Sequence, residues 1–203
     1  MPKLFSYVIE HDRGHAPNPY FGVCTLCRCK FRDSSDKPKN LVEKAKRGDW
    51  VIGTGGANKK KSSGHGTLIY AMRVDEKLTR QEYFLDHRFY KKKLRKSGPY
   101  EQKMGDNIRP RTPFQRSEQF ALISRHFYYF GRNAIRVPKN KFRNLKKTGP
   151  GFRSDFDDSY IAHFLRWLET ETGFNPGKHG DPCMKKVESH SGRKRNGICR
   201  SSC

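Results

Sequence analysis

The sequence predicts an α+β fold in one domain over residues 1–174, followed by a basic, cysteine-bearing tail at 175–203 that is expected to be poorly ordered. Three observations carry this. Residues 3–9, 49–53 and 67–74 are short runs of β-branched and aromatic side chains bounded by Gly, Pro or charge, the mark of strands. Residues 158–172 place Ile161, Phe164, Leu165 and Leu168 at helical spacing, which makes one buried stripe. The chain has 203 residues, 33% of them hydrophobic, enough for one core of ordinary size and not for two.

The first strand, KLFSYVI, runs into a loop punctuated by Gly and Pro at 11–19. Residues 21–32 alternate small or apolar with polar side chains and read as a second strand, broken at 33–39. Asn40 can cap a short helix through Lys46, with Leu41, Val42 and Ala45 on one face and Gly48 as its stop. The strands at 49–53 and 67–74 are joined by a Gly-, Lys- and Ser-rich connection, 54–66, that holds no apolar anchor and is expected to be mobile without a ligand. Residues 79–84 read as a short helix and 90–113 as irregular basic surface. Residues 120–124 and 127–130 read as a strand pair or one bent strand, and 139–151 as another basic loop. Asp158 or Ser159 caps the long helix, and order is expected to decay beyond Gly173, because 177–203 holds seven Lys or Arg, two acidic residues and few apolar side chains.

Lys and Arg number 43 against 20 Asp and Glu, a formal charge of +23. Such an imbalance strains a compact state by self-repulsion, while the same field draws a polyanion and releases its counterions. Nucleic acid is therefore the expected partner, DNA before RNA; a basic surface serving solubility alone is the plain alternative. No window approaches the roughly 18 apolar residues of a spanning helix, and residues 1–9 lack the apolar run of a signal peptide, so the expected location is the cytoplasm or the nucleoid, with no membrane partner.

Several segments gather polar and aromatic side chains. In the 11–19 loop Asp12 can serve as base or acceptor, Gly14 as a turn and Asn18 as a two-way amide reader, or both polar residues can tie the loop's own backbone. Trp50 can stack on a base or fill the core, and Thr54, Gly55 and Gly56 at the following strand end would let a ligand approach the backbone. Gly105, Asp106 and Asn107, and the run from Tyr128 and Tyr129 to Asn133, are further candidates, the tyrosines for stacking or for the core. Lys91, Lys92, Lys93, Arg95 and Lys96, then Lys141, Arg143, Lys146 and Lys147, and the tail are candidates for phosphate contacts.

Cys24-x-x-Cys27-x-Cys29 opens like a zinc knuckle, but structural zinc needs a fourth ligand, which His179, Cys183 or His190 could supply only if the tail folds back. The expectation is no metal, with Cys27 and Cys29 as small core residues and Cys199 and Cys203 as free thiols. Asp75-x-Lys77 with Asp49 faintly fits a Mg²⁺-dependent nuclease. No P-loop, Rossmann glycine pattern, zinc-protease helix or nucleophile elbow is present.

Asp12-x-Gly14-x-Ala16-Pro17-Asn18-Pro19, then Gly48-Asp49-Trp50-Val51-Ile52-Gly53-Thr54-Gly55, then Leu68-Ile69-Tyr70-Ala71-Met72-Arg73-Val74 together resemble a nucleotide modification associated domain, the second of that series. Gly105-Asp106-Asn107-Ile108 and Tyr129-Phe130-Gly131 fit the same pattern, and the resemblance spans roughly residues 3–170. It implies a role in systems that make or handle modified DNA bases. Lys46-Arg47-Gly48-Asp49 and the strands after it are also similar to PUA-like EVE and ASCH domains, which implies a small β-barrel or strongly bent mixed sheet against a few helices. The lysines at 59–61 and 91–96 and the cysteine tail depart from the common core. The expected function is recognition of a modified or flipped-out base by Asp12, Gly14, Asn18, Trp50, Thr54, Gly55, Arg73, Asp106, Asn107 and Tyr129. The alternatives are a base-modifying transferase or glycosidase with Asp12 or Asp106 as acid/base, and a protein that coats nucleic acid by charge alone.

Overall fold

The computed structural model describes residues 2–27, 40–92, 120–149 and 151–184. In chain order the strands are β1 (Leu4–Ile9), β2 (Cys24–Leu26), β3 (Trp50–Gly55), β4 (Thr67–Arg73), β5 (Glu76–Thr79), β6 (Phe120–Ser124), β7 (Phe127–Tyr129), β8 (Ile135–Arg136), β9 (Phe152–Arg153) and β10 (Gly177–Lys178). The helices are α1 (Leu41–Lys44), α2 (Lys59–Ser62), α3 (Arg80–Leu85) and α4 (Asp158–Arg166); a π turn, Trp167–Glu171, continues α4, and 3-10 turns lie at His87–Lys92 and Gly131–Asn133. The fold is α+β, as the sequence predicts.

One mixed sheet of seven strands runs β10-β7-β4-β3-β1-β9 with β8 also on β4, and a second runs β2-β6-β5. Among the described residues neither closes into a barrel: the large sheet ends on the two-residue strands β9 and β10. Short edges of this kind offer little template for pairing with another chain.

The period of two along each strand sorts the large sheet into two apolar faces. On one face Phe5, Ile9, Val51, Met72 and Tyr129 pack with Cys24, Leu26 and Leu122 of the small sheet and with Leu41, Val42 and Ala45 around α1. On the other, Leu4, Trp50, Ile52 and Tyr128 pack with Phe142, Leu145, and the α4 side chains Ile161 and Phe164, joined by Trp167 and Leu168 from the π turn. The far side of the small sheet carries a third cluster, Ala121 and Ile123 under Tyr83 and Phe89. The β3–β4 register slips between Gly53, opposite Tyr70, and Thr54, opposite Leu68, so Ile69 is an extra residue. The bulge sends Ile69 and Tyr70 to the same core and bends the sheet at the end that carries Thr54 and Thr67.

Several expectations are corrected. The runs at 120–124 and 127–130 are not paired with one another: β6 belongs to the small sheet and β7 to the large one. The chain changes sheets at Arg125 and His126, whose N–H groups both donate to Asp75 Oδ2, at 2.6 and 3.3 Å. The 54–66 connection is anchored after all, by polar contacts. It contains α2, capped by Asn58; Gly56 N donates to Ser62 Oγ (3.0 Å) and Ser63 Oγ to the Gly131 carbonyl (2.9 Å). The cap of α4 is Asp157, which accepts from Tyr160 N at 2.7 Å. Ordered chain continues past Gly173: β10 pairs with β7, His179 N donates to Tyr129 O, and Arg132 N to Asp181 O. Among the described helices none is long and apolar enough to cross a membrane.

Lys92, an expected phosphate contact, is 1% exposed. Its ammonium donates to Asn18 O and Asn18 Oδ1, each at 2.9 Å, and to Thr25 Oγ1 at 3.4 Å, locking the bridge between residues 18 and 25. Truncating it strands buried acceptors, so Lys92→Ala should cost about 2–3 kcal/mol in urea unfolding. The same variant should leave the salt slope of nucleic-acid binding unchanged; a shallower slope would return Lys92 to the phosphate contacts.

Candidate nucleic-acid interface

At the bent end of the large sheet, Thr54 and Thr67 are buried beneath the loop that follows β8. Thr54 Oγ1 donates to Tyr7 O (3.2 Å) and Thr67 Oγ1 to Gly64 O (2.7 Å). With both hydrogens directed into the backbone, the two oxygens keep acceptor lone pairs for a ligand's N–H groups. Above them is a cavity of about 550 Å³ with an apolar floor of Val137, Phe142 and Leu145 and a rim of His65, Lys139, Arg143 and Lys146. Among its described lining residues there is no carboxylate. The volume falls in the range of small-ligand sites, and the mix of apolar floor and cationic rim matches a nucleotide's base and phosphate. Lys146 Nζ lies 2.7 Å from His65 Nδ1, which must accept because an ammonium has only donors; the contact holds the lysine over the rim.

A second cavity, about 590 Å³, shares Asn144, Lys146 and Thr148 with the first and adds Lys44, Lys147, Phe152, Arg153 and Asp155. Asn144, at φ 59°, turns the chain between the two, and its carbonyl accepts from Arg153 Nη1 at 2.8 Å. Arg153 also donates to Asp155 Oδ1 (2.7 Å), a hydrogen bond that holds the Asp155 carboxyl below its usual range. Lys44 Nζ stands 5.5 Å from the centre of the Phe152 ring.

The structure scatters the residues expected to form one base pocket. Thr54 lines the first cavity. Trp50 and Arg73 pair at the opposite end of β3 and β4, roughly 13 Å away at about 3.3 Å per residue. Trp50 is 3% exposed in the α4-facing core, edge-on to His126 at 5.5 Å, so it offers no stacking face; Arg73 pairs with Asp75 at 3.0 Å. Asn18 is fully buried, and its Oδ1 accepts from Tyr20 N (3.2 Å) and Lys92, which makes it a loop tie. Gly55 is close to its own chain: a Cβ there would collide with Gly64 O and Thr67 Oγ1 and sit 2.7 Å from Ser62 O. Gly14 is likewise covered, a Cβ standing 2.5 Å from Pro182 Cγ.

Asp12 and Tyr129 do meet, but inside the protein. Tyr129 OH donates to Asp12 Oδ1 at 2.6 Å, Gly14 N to the same oxygen at 3.4 Å and Cys183 N to Oδ2 at 3.2 Å. Burial pushes the Asp12 carboxyl above its ordinary value, and the bonds from Tyr129 and Cys183 only partly offset this. Burial, then the neighbouring Asp12, also pushes the Tyr129 phenol well up. The Cys183 thiol is raised by burial and lies 3.1 Å from Ser63 Oγ. A 1% exposed carboxyl with both oxygens bonded to its own chain is a poor acid/base for an outside substrate.

Of the phosphate candidates, Arg143 and Lys146 line the first cavity and Lys146 and Lys147 the second, whereas Lys141 is paired with Glu171 at 2.7 Å. Lys91 is exposed on the 3-10 turn. Lys93, Arg95, Lys96, Asp106, Asn107, Cys29, His190, Cys199 and Cys203 lie outside the described residues. Cys24 and Cys27 fill different cores, and among the described residues no three His, Cys, Asp or Glu side chains gather as for a metal. Asp49 accepts from Lys3 N and Lys46 N, and Lys77 donates to the carbonyls of Glu43 and Ala45, so the nuclease-like trio is absorbed in the scaffold.

His65, Thr67 and Phe142 are not among the site residues the sequence marks, whereas Lys139 belongs to the 139–147 run expected to hold phosphates. A signal was present: Phe142 and Leu145, three apart among the cations of the 139–147 loop, mark a loop anchored on a core and not a solvated run.

The model of nucleotide modification associated domain 2 matches residues 1–120 and 114–189. The chain belongs to that family. No curated protein and no solved structure matches it. The nucleotide modification associated domain 2 model reaches beyond β10 and includes Pro182 and Cys183, the residues that cover Gly14 and bond Asp12.

Proposed function

We propose that this domain binds nucleic acid, DNA before RNA, within a nucleotide-modification system, and reads one modified or flipped-out nucleotide in the Thr54 cavity. The observation that carries the reading is a cavity of about 550 Å³ whose floor is apolar and whose rim is cationic, in a chain of net charge +23. Phe142 and Val137 give the base an apolar bed, the threonine oxygens accept from its amino or imino groups, and Arg143, Lys139 and Lys146 take the phosphate. Family membership supplies the setting, systems that modify nucleotides.

The test is fluorescence anisotropy of the full chain with matched oligonucleotides carrying ordinary or hypermodified bases. Arg143→Ala/Lys146→Ala should weaken binding about tenfold and lower the salt slope by roughly 0.7–0.9, the value for one phosphate lost. Thr54→Val should reduce the preference between bases and leave the salt slope intact, the separation expected of base and phosphate contacts. Unchanged binding in the double variant would sink the reading. Nucleosides from the same mixtures go to mass analysis, where a mass change would replace a reader by a base-modifying enzyme.

A further inference from the structure

We infer that the interface takes an unpaired strand of at least two nucleotides: one base in the Thr54 cavity and the phosphate of its neighbour in the cavity behind Asn144. The inference rests on the base-reading role proposed above and specifies its ligand.

The two cavities share one wall, Asn144, Lys146 and Thr148, so a chain that leaves the first over Lys146 enters the second. Their chemistry differs in the way a nucleotide's parts differ. The first has an apolar floor and hydroxyl acceptors and suits a base. The second brings Lys44, Lys146, Lys147 and Arg153 around a single carboxylate, Asp155, and that carboxylate is already held by Arg153. An arginine carries five N–H donors, of which the Asn144 carbonyl and Asp155 take one each here, leaving the guanidinium able to bind a phosphodiester. The half-buried Phe152 ring in the same wall, beside the Lys44 ammonium, is a platform on which the neighbouring base can stack.

A base within a duplex is stacked and paired, so it can lie on the apolar floor of a cavity only after extrusion, at a cost of a few kcal/mol. A single strand avoids that cost, and its second nucleotide is free to follow the wall into the adjoining cavity. Duplexes should therefore bind less tightly than the same strand alone.

The experiment measures competition by thymidine monophosphate, the dinucleotide TpT, a dT12 strand and its duplex with dA12 against a labelled dT12, using the full chain, Lys44→Ala/Lys147→Ala and Arg143→Ala. Among the described residues Lys147 Nζ bonds the adjacent Thr148 carbonyl alone, and Lys44 is exposed at the end of α1, so neither replacement disturbs the core. The expected result is TpT binding about tenfold tighter than the monophosphate, dT12 tighter than duplex, and loss of the TpT advantage in Lys44→Ala/Lys147→Ala with monophosphate affinity unchanged. Equal affinity for monophosphate and TpT, with both weakened by Arg143→Ala, overturns the strand inference and leaves the base site standing. No monophosphate binding, together with dT12 binding indifferent to Arg143→Ala, removes the base site itself and this inference with it. Duplex binding as tight as single strand overturns the claim for an unpaired ligand.

Discussion

Asp12→Ala should lower the unfolding free energy by about 3 kcal/mol, measured by urea denaturation at neutral pH. The carboxylate accepts from Tyr129 OH, Gly14 N and Cys183 N, and its removal leaves the buried phenol, the buried Gly14 amide and the half-buried Cys183 amide without their acceptor. Each stranded buried donor costs about 1–3 kcal/mol, and the relief from no longer burying the carboxyl subtracts from the sum. Tyr129→Phe, which removes one donor and strands none, should cost less than half as much. Because the same carboxylate holds the Cys183 amide against residue 12, leaving Met184 N on the Asp12 backbone carbonyl as the remaining tie, the alanine variant should also open the 181–184 segment to protease before the core melts. Stability equal to the parent protein would show the buried cluster to be incidental.

The pH dependence of Asp12 has a definite sign. Its folded pKa lies above the ordinary value of 3.8, so the folded state holds this proton more firmly than the unfolded chain does. Its contribution to stability is complete below that value and is lost as pH rises through the folded pKa. Glu76, whose carboxyl the bond from Arg88 holds below its usual range, runs the other way: its contribution is present above the ordinary value and lost as pH falls. The Asp12 effect therefore appears in the difference between parent and Asp12→Asn: the stability of the parent relative to the variant should fall as pH climbs from 4. A flat difference would refute the raised carboxyl.

The second large effect is expected at Gly55. An added methyl would collide with the Gly64 carbonyl and the Thr67 hydroxyl and stand 2.7 Å from Ser62 O, and two of these three obstacles are backbone that cannot swing aside. Gly55→Ala should cost about 3 kcal/mol, the upper part of the range for overpacking. It should also weaken nucleotide binding, since relief of the collision moves Thr67 or the turn after α2 at the lip of the cavity. Gly66→Ala is the contrast in the same segment. Its φ of 76° makes the backbone strained, but a Cβ there meets nothing closer than 3.8 Å, so its cost should be smaller and purely conformational. Equal destabilisation by the two would mean that packing around Gly55 is slack.

These residues show what the sequence could and could not reveal. Strand identity was legible where apolar residues crowd, as in β1, β3 and β4, and so was α4 with its stripe of Ile161 and Phe164, which the π turn extends to Leu168. Partners across distance were not. The glycines at 53–56 announced a close approach without saying by what, and the answer is the chain itself: the Ile9 and Tyr70 side chains at Gly53 and the 62–67 turn at Gly55. Trp50 carries the same letters whether it faces solvent or core; its pairing with Arg73, far from Thr54, comes from strand register. Lys92 looked like its neighbours in a basic run, yet the chain turns it inward onto Asn18, because a buried carbonyl and amide oxygen need a donor more than the surface needs another charge. Composition marked the 139–147 loop as a phosphate surface, and the loop does border both cavities, but only the buried Phe142 and Leu145 explain why it sits over Thr54.

The bond between Cys183 and Asp12 joins residues 171 positions apart, and this bears on how the protein is made. At roughly 5–20 residues per second, a ribosome needs on the order of 10–30 s to go from one to the other. Throughout that interval Asp12 Oδ2, the oxygen that will accept from Cys183 N, lacks that donor, and Gly14 waits for the proline that will cover it. The parallel partner of β1 emerges sooner, but the strand that flanks β7 and the amides that cap the cluster come last among the described residues. Elongation therefore sets the earliest moment at which the first strand's exit loop can be sealed, and a ribosomal pause before codon 183 would delay that sealing.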